Sequence, residues 1–238
     1  MSLSRPRRRS PPPAETRAAL LRAAGEVFAE VGFHAATVRA ICRRAGANVA
    51  AVNYHFRDKE SLYVEVLRQA MARANARHPF DGGLAATAPP EERLRGFVRQ
   101  FLGRLFERGE LAWLGQLMAR EMIQPSHALD LVVAERIRPM AEQLRDIIRR
   151  ILGPRCPEAE LRLCGFSIVS QCVFYNHCRS VVHRLFPDQT LNARAAEDLA
   201  AHITRFSLAA LKDRARQAHP RRSAARGPAT SAPSLSTL

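Results

Sequence analysis

From residue 15 onward apolar side chains recur at intervals of three and four, and between residues 36 and 60 that helical rhythm is cut into short pieces. The first segment puts Leu20, Leu21, Ala24, Val27, Phe28 and Val31 on one stripe, and Gly32 stops it. Thr37 then caps a second, brief helix whose inward positions are Val38, Ile41, Cys42 and Ala45. Gly46 opens a tight turn into ANVAAVNYHF, with Ala47, Val52 and Phe56 inward. Asp58 caps a longer helix facing inward at Leu62, Tyr63, Val66, Leu67 and Ala70. Three short helices with a fourth leading away predict a helix-turn-helix module. No stretch shows sustained period-two alternation, so the expected fold class is all-α.

Charge divides the chain in the same way. The net charge is +15, with 37 Lys and Arg against 22 Asp and Glu, and the excess lies at the two ends while residues 79–213 are close to neutral. A basic front, a neutral body and a basic tail suggest that the front half meets a polyanion. The expected organisation is a disordered basic segment over 1–14, a helix-turn-helix domain over 15–78, a larger helical domain over 79–218 and a second disordered tail over 219–238. The Gly- and Pro-rich PFDGGLAATAPP of residues 79–90 separates the two domains. Helices are expected over about 91–108, 110–123, 126–152 with a kink at Pro139, 158–184 and 192–217. The last two are apolar on more than one face: LCGFSIVSQCVFY in one, Leu199, Ile203, Phe206, Leu208 and Leu211 in the other. One monomer covers one face of each, which leaves the other, including Val173 and Phe206, for a second copy.

A helix starting near Asn48 leaves Asn48, Val49, Ala50, Ala51, Asn53, Tyr54 and His55 on its outer side. Small side chains in the first turn let the backbone enter a DNA major groove, where Val49, Ala50 and Ala51 can touch thymine methyl groups. Asn53 can read adenine through paired hydrogen bonds, and Tyr54 and His55 reach the phosphate walls. Lys59, in the first turn of the next helix, and Thr37, at the start of the second, are placed to meet phosphates.

These residues carry a family resemblance. Thr37 to Ala45, the Gly46 turn and VNYHFRDKESLY resemble the DNA-binding domain of the TetR/AcrR family of transcriptional regulators, over roughly residues 15–67. Two positions depart from the family pattern: Asn53 stands where most members have Tyr, and Val49 where a polar residue is usual. The body is similar to the CecR-like subgroup through AREMIQPSHAL, IRPMAEQL and SIVSQCVFY. The resemblance implies a homodimer joined through a four-helix bundle of its last two long helices, a palindromic operator in double-stranded DNA and a pocket for a small-molecule effector. It further implies a repressor released by that ligand.

Trp113, Met118, Glu121, Met122, Gln171, Tyr175 and Asn176 lie on helices expected to face one another, and they mix apolar surface with a few polar groups as ligand sites do. Glu121 is the sharpest of them, since a carboxylate in an apolar helix must find a cation or donor. Other classes are less consistent with the chain. Ser167 in GFSIV lacks the second glycine of a nucleophile elbow, and no phosphate-cradling loop or His–Glu metal motif occurs, so no enzyme and no cofactor are expected. Cys172, Cys178, His177 and His183 match no metal-ligand spacing, and the apolar surroundings of Cys164, Cys172 and Cys178 read as core. With no membrane span or secretory signal, a cytoplasmic location is expected. The alternative function is a nonspecific nucleic-acid-compacting protein using its basic tails.

Overall fold

The computed structural model describes residues 12–106, 112–189 and 192–218. The expected disordered tails fall outside these residues, apart from the end of the first one. There Pro13 and Ala14 are helical, because Pro fits the first helical position and Glu15 complements the helix dipole.

Every regular element among the described residues is helical. The first four are α1 (Pro13–Ala35), α2 (Val38–Ala45), α3 (Val49–Phe56) and α4 (Lys59–Arg77). The body continues with α5 (Pro90–Leu105), α6 (Ala112–Ile123), α7 (Leu129–Val132), α8 (Arg138–Leu152), α9 (Glu158–His177), α10 (Arg179–Leu185) and α11 (Ala193–Ala218). The caps are those the sequence announces. Thr37 accepts from the Ala40 amide at 3.2 Å, Asp58 accepts from the Ser61 amide at 2.7 Å, and Gly46 takes a left-handed φ of 66°. Gly32, with φ 82°, breaks α1 near its end. Beyond that break Phe33 turns inward against Phe28 and Tyr63, and Val31, expected on the inner stripe, is exposed instead.

Two departures lie in the body. The helix expected over 126–152 is distorted before its proline, in a π turn at Val133–Ile137 between α7 and α8. The Pro139 ring collides with the carbonyl four residues back, at Glu135, and widening the preceding turn relieves the clash. The helix expected over 158–184 breaks at Cys178, where the backbone leaves helical angles without a Gly or Pro to announce it.

Packing crosses the boundary between the two halves. The first core joins Leu20, Phe28, Ile41, Val52, Leu62, Tyr63 and Leu67 of α1–α4 to Leu117, Ala128 and Val132 of the body. The second is built by α5, α8, α9 and α11 around Leu94, Phe97, Leu102, Ile147, Ile148, Ile168 and Ile203. Cys172 is fully buried in it, and burial pushes its thiol up to about 12, which leaves no reactive thiolate at neutral pH.

The helix α6 is the wedge between the cores, and it docks on α1 through an aromatic ring. Trp113 lies against Gly25, where an added Cβ would stand 2.6 Å from the ring. Within a helix Gly→Ala ordinarily gains about 1 kcal/mol, whereas overpacking of this kind costs roughly 1–3 kcal/mol. Gly25→Ala is therefore expected to lower stability by about 1–2 kcal/mol in urea denaturation followed by circular dichroism. The sign should reverse in a Trp113→Leu background; an equal loss there would mean that the ring is not the cause.

Candidate DNA interface and effector cavity

The outer side of α3 is set by two inward anchors. Val52 and Phe56 are buried, so Val49, Ala50, Asn53 and Tyr54 are exposed, Tyr54 most of all at 79%. Ala51 is half-buried against the first core, and His55 is half-buried with its ring edge-on to Tyr54 at 4.8 Å. Asn48 caps α3: its side-chain oxygen accepts from the Ala51 amide at 2.8 Å, which leaves its amide hydrogens to face outward contacts.

Lys59 is placed differently from expectation. Its ammonium donates to the carbonyls of Phe33 at 3.0 Å and Ala36 at 3.1 Å, and it sits 4.4 Å from the centroid of the Phe33 ring. It ties the start of α4 to the end of α1 rather than reaching out as a phosphate clamp. The carbonyls freed where α1 breaks need donors, and Lys59 supplies two of them.

The exposed cations near this face are Arg39 and Arg43, one turn apart on α2, and Arg57 in the turn between α3 and α4. The signal for the first two is present in VRAICRRA, where Arg39 and Arg43 fall opposite the buried Ile41. The adjacent Arg44 is engaged by Glu30, with bonds of 2.6 and 3.0 Å that hold the Glu30 carboxyl below the usual range. Arg17 also borders the α3 face, bonded to Glu65 at 2.7 Å with its guanidinium 5.2 Å from the Phe56 ring centroid.

In the body, a cavity of about 310 Å³ lies between the end of α4, α5, α6, the π turn, α8 and α9. Of the expected ligand residues Met118, Met122 and Asn176 line it. The other four serve elsewhere. Trp113 packs on α1, as described above. Gln171 donates to the Ser167 carbonyl and to Ser207 Oγ, which joins α9 to α11. Tyr175 packs against the second core. Glu121, only 2% exposed, accepts from the Tyr63 hydroxyl at 2.7 Å and from the Ser126 amide and hydroxyl at 2.8 and 2.9 Å. Its donors are thus Tyr63 and Ser126, and Arg120 is not among them. Arg120 instead donates to the carbonyls of Ala29 and Glu30 at 3.0 and 2.7 Å, so neighbouring residues of α6 are fastened to α4 and α1. Val173, expected at a subunit interface, lines the cavity. The lining that sequence reasoning did not single out includes Arg104 and Arg136.

Comparison with known proteins follows this division of the chain. Residues 20–66 match the family described as bacterial regulatory proteins, tetR family, and residues 90–211 match the C-terminal domain of the HTH-type transcriptional dual regulator CecR. The HTH-type transcriptional regulator UidR of Escherichia coli K12 is 39% identical over 69 residues, which span 28% of this chain and only 35% of UidR. The HTH-type transcriptional repressor NicS of Pseudomonas putida is 25% identical over 206 residues, covering 83% of this chain and 92% of NicS. The crystal structure of the TetR family regulator PfmR from Thermus thermophilus superposes with a TM-score of 0.58 at 22% identity, over 81% of this chain and 95% of PfmR.

The Tyr63–Glu121 bond leaves a pH signature. Burial first, and then the Glu121 carboxylate, push the Tyr63 phenol far above its ordinary value of 10. Above pH 10 the unfolded chain releases this proton and the folded chain keeps it. The stabilisation is therefore complete below pH 10 and lost as pH rises beyond. Tyr63→Phe should cost about 1.5–3 kcal/mol at neutral pH and show a shallower stability loss than wild type above pH 10. Parallel denaturation series in the two proteins check this, and equal stability at neutral pH would mean that the hydroxyl bond is unimportant.

Proposed function

The chain belongs to the TetR family of bacterial transcriptional regulators and carries a CecR-type C-terminal domain, and on that basis we propose a sequence-specific DNA-binding repressor, without catalytic activity, that a small molecule releases from its operator. The observation that carries this reading is the double duty of α6. One side of it, through Gly115, Met118, Ala119 and Met122, lines the cavity. The other is fastened to the DNA-binding half by Arg120, Glu121 and Trp113. A ligand that shifts α6 must move α1 and α4 with it, because buried hydrogen bonds and close packing do not stretch.

The reading needs two copies. In a dimer the recognition helices α3 must stand one DNA turn, about 34–36 Å, apart to enter successive major grooves. An effector that binds a mis-spaced state ~100-fold better supplies ~2.7 kcal/mol of coupling against operator binding. Support for a partner comes from one stripe of α9, where Leu163, Phe166 and Phe174 are each at least half exposed, and from Phe206 on α11 at 61%. On the DNA side, Asn53 is the base-reading side chain, Val49 and Ala50 the apolar contacts, and Tyr54, Arg39 and Arg43 the phosphate contacts.

Equilibrium binding to the DNA flanking its own gene, with scrambled competitor at physiological salt, tests the function. A preference of at least ~10³-fold for a short palindrome is expected. Equal binding to scrambled DNA that disappears when residues 1–11 and 219–238 are removed would favour the nonspecific, tail-driven reading instead. On the preferred site, Asn53→Ala should relax discrimination at one or two base pairs by ~1–3 kcal/mol. Arg43→Ala should weaken all sequences alike and lower the salt slope by about one counterion. Sedimentation separates the two positions expected at the interface: Phe206→Asp should yield monomers, whereas Val173→Asp should leave the dimer intact, and a dimeric Phe206→Asp would refute the bundle.

A further inference from the structure

We propose that the cavity takes an amphipathic anion, whose carboxylate or phosphate headgroup is bound by Arg104 and Arg136 while its apolar body lies among Phe101, Leu114, Met118 and Met140. This deepens, and rests on, the reading of the cavity as the effector site.

Among the described residues the wall is apolar apart from two guanidiniums, two histidines and one asparagine, with no carboxylate. Arg104 is 8% exposed. It donates through Nε and Nη2 to the His78 carbonyl, and its guanidinium lies 3.4 Å from the centroid of the Phe80 ring. The remaining nitrogen, Nη1, has no hydrogen-bond partner and is shut off from solvent. Nη1 of Arg136 is in the same condition.

A buried cation left unpaired is destabilising, and relieving such a penalty normally selects an apolar residue. Capping the end of α4 accounts for Arg104 but not for its idle nitrogen, and among the described residues Arg136 has no such structural employment. Arg136 is also carried by the π turn, a feature that is frequent at functional sites because it re-aims a side chain. Like charges gathered in a water-poor pocket oppose their own protonation: burial, then the Arg136 charge, push the Arg104 guanidinium down to about 9. An anion placed between them cancels both penalties, and a guanidinium fork suits the paired oxygens of carboxylate or phosphate. The two histidines do not compete for it: His78 Nδ1 is already within 3.1 Å of Gln100 Oε1, and His177 is exposed. A cavity of about 310 Å³ leaves room for an apolar body of modest size. The same geometry offers a route for the signal, since a headgroup that draws on Arg104 draws on the His78 carbonyl at the end of α4.

Calorimetric titration of the full chain without DNA tests this with matched acid and alcohol pairs: octanoate and octanol, decanoate and decanol, phenylbutyrate and phenylbutanol. In at least one pair the anion should bind about tenfold or more tightly than its alcohol. Arg136→Met should shrink that ratio to about twofold or less, while Arg136→Lys, which keeps the charge but not the fork, should retain part of it. Decyl phosphate set against decanoate identifies the preferred headgroup. Alcohols that bind as well as acids in every pair, absence of binding by every probe, or a preference that survives Arg136→Met would each overturn the anion site. Operator binding is then measured with the best anion present. Binding in the cavity without any change in operator affinity would leave the anion site standing and refute ligand release.

Discussion

A carboxylate that is 2% exposed must be met by donors, and the way Glu121 is met organises this molecule. Tyr63 reaches it from α4 and Ser126 from the loop after α6. Each donor fixes a different element, so the carboxylate acts as a pin through the joint between the DNA-binding half and the body. Arg120 one residue earlier and Trp113 two turns earlier add a second and third fastening, both to α1. With the first core extending to Leu117, Ala128 and Val132, the front half has no independent boundary at the end of α4. On the proposed function, that continuity is the route from the cavity to α3.

The same helix faces two environments of opposite character. Toward the joint Glu121 and Arg120 are held by hydrogen bonds of 2.7–3.0 Å, which makes the contact rigid. Toward the cavity the side chains are Met118, Met122 and small residues, which adapt to what they touch. Arg104 and Arg136, on α5 and the π turn, line the same cavity. Rigid on one side and accommodating on the other, α6 is suited to pass a displacement along instead of absorbing it.

Much of the front half was legible because its determinants are local. Thr37, Gly46 and Asp58 each act within a few residues, and Val52 and Phe56 are inward because 3.6-residue periodicity leaves no alternative. The outward set on α3 followed from those anchors by subtraction. The contacts of Lys59 were not legible because its acceptors, the carbonyls of Phe33 and Ala36, are 26 and 23 residues away. In the body, position on a helix indicated which residues were near the centre without saying what each met there. Met118, Met122 and Asn176 reach the cavity, whereas Trp113, Glu121, Gln171 and Tyr175 are taken up by protein partners.

The sequence by itself determined the helices of the front half, their caps and turns, the all-α class and the resemblance to a family, since each depends on side chains acting within a turn or two. The tertiary structure alone decided that Glu121 is a pin, that Val173 faces a cavity, that the distortion near Pro139 is a π turn, and that Arg104 and Arg136 share one apolar wall. The physical reason is distance along the chain. Tyr63 and Glu121 are 58 residues apart, and nothing in either neighbourhood specifies the other until packing brings α4 and α6 together.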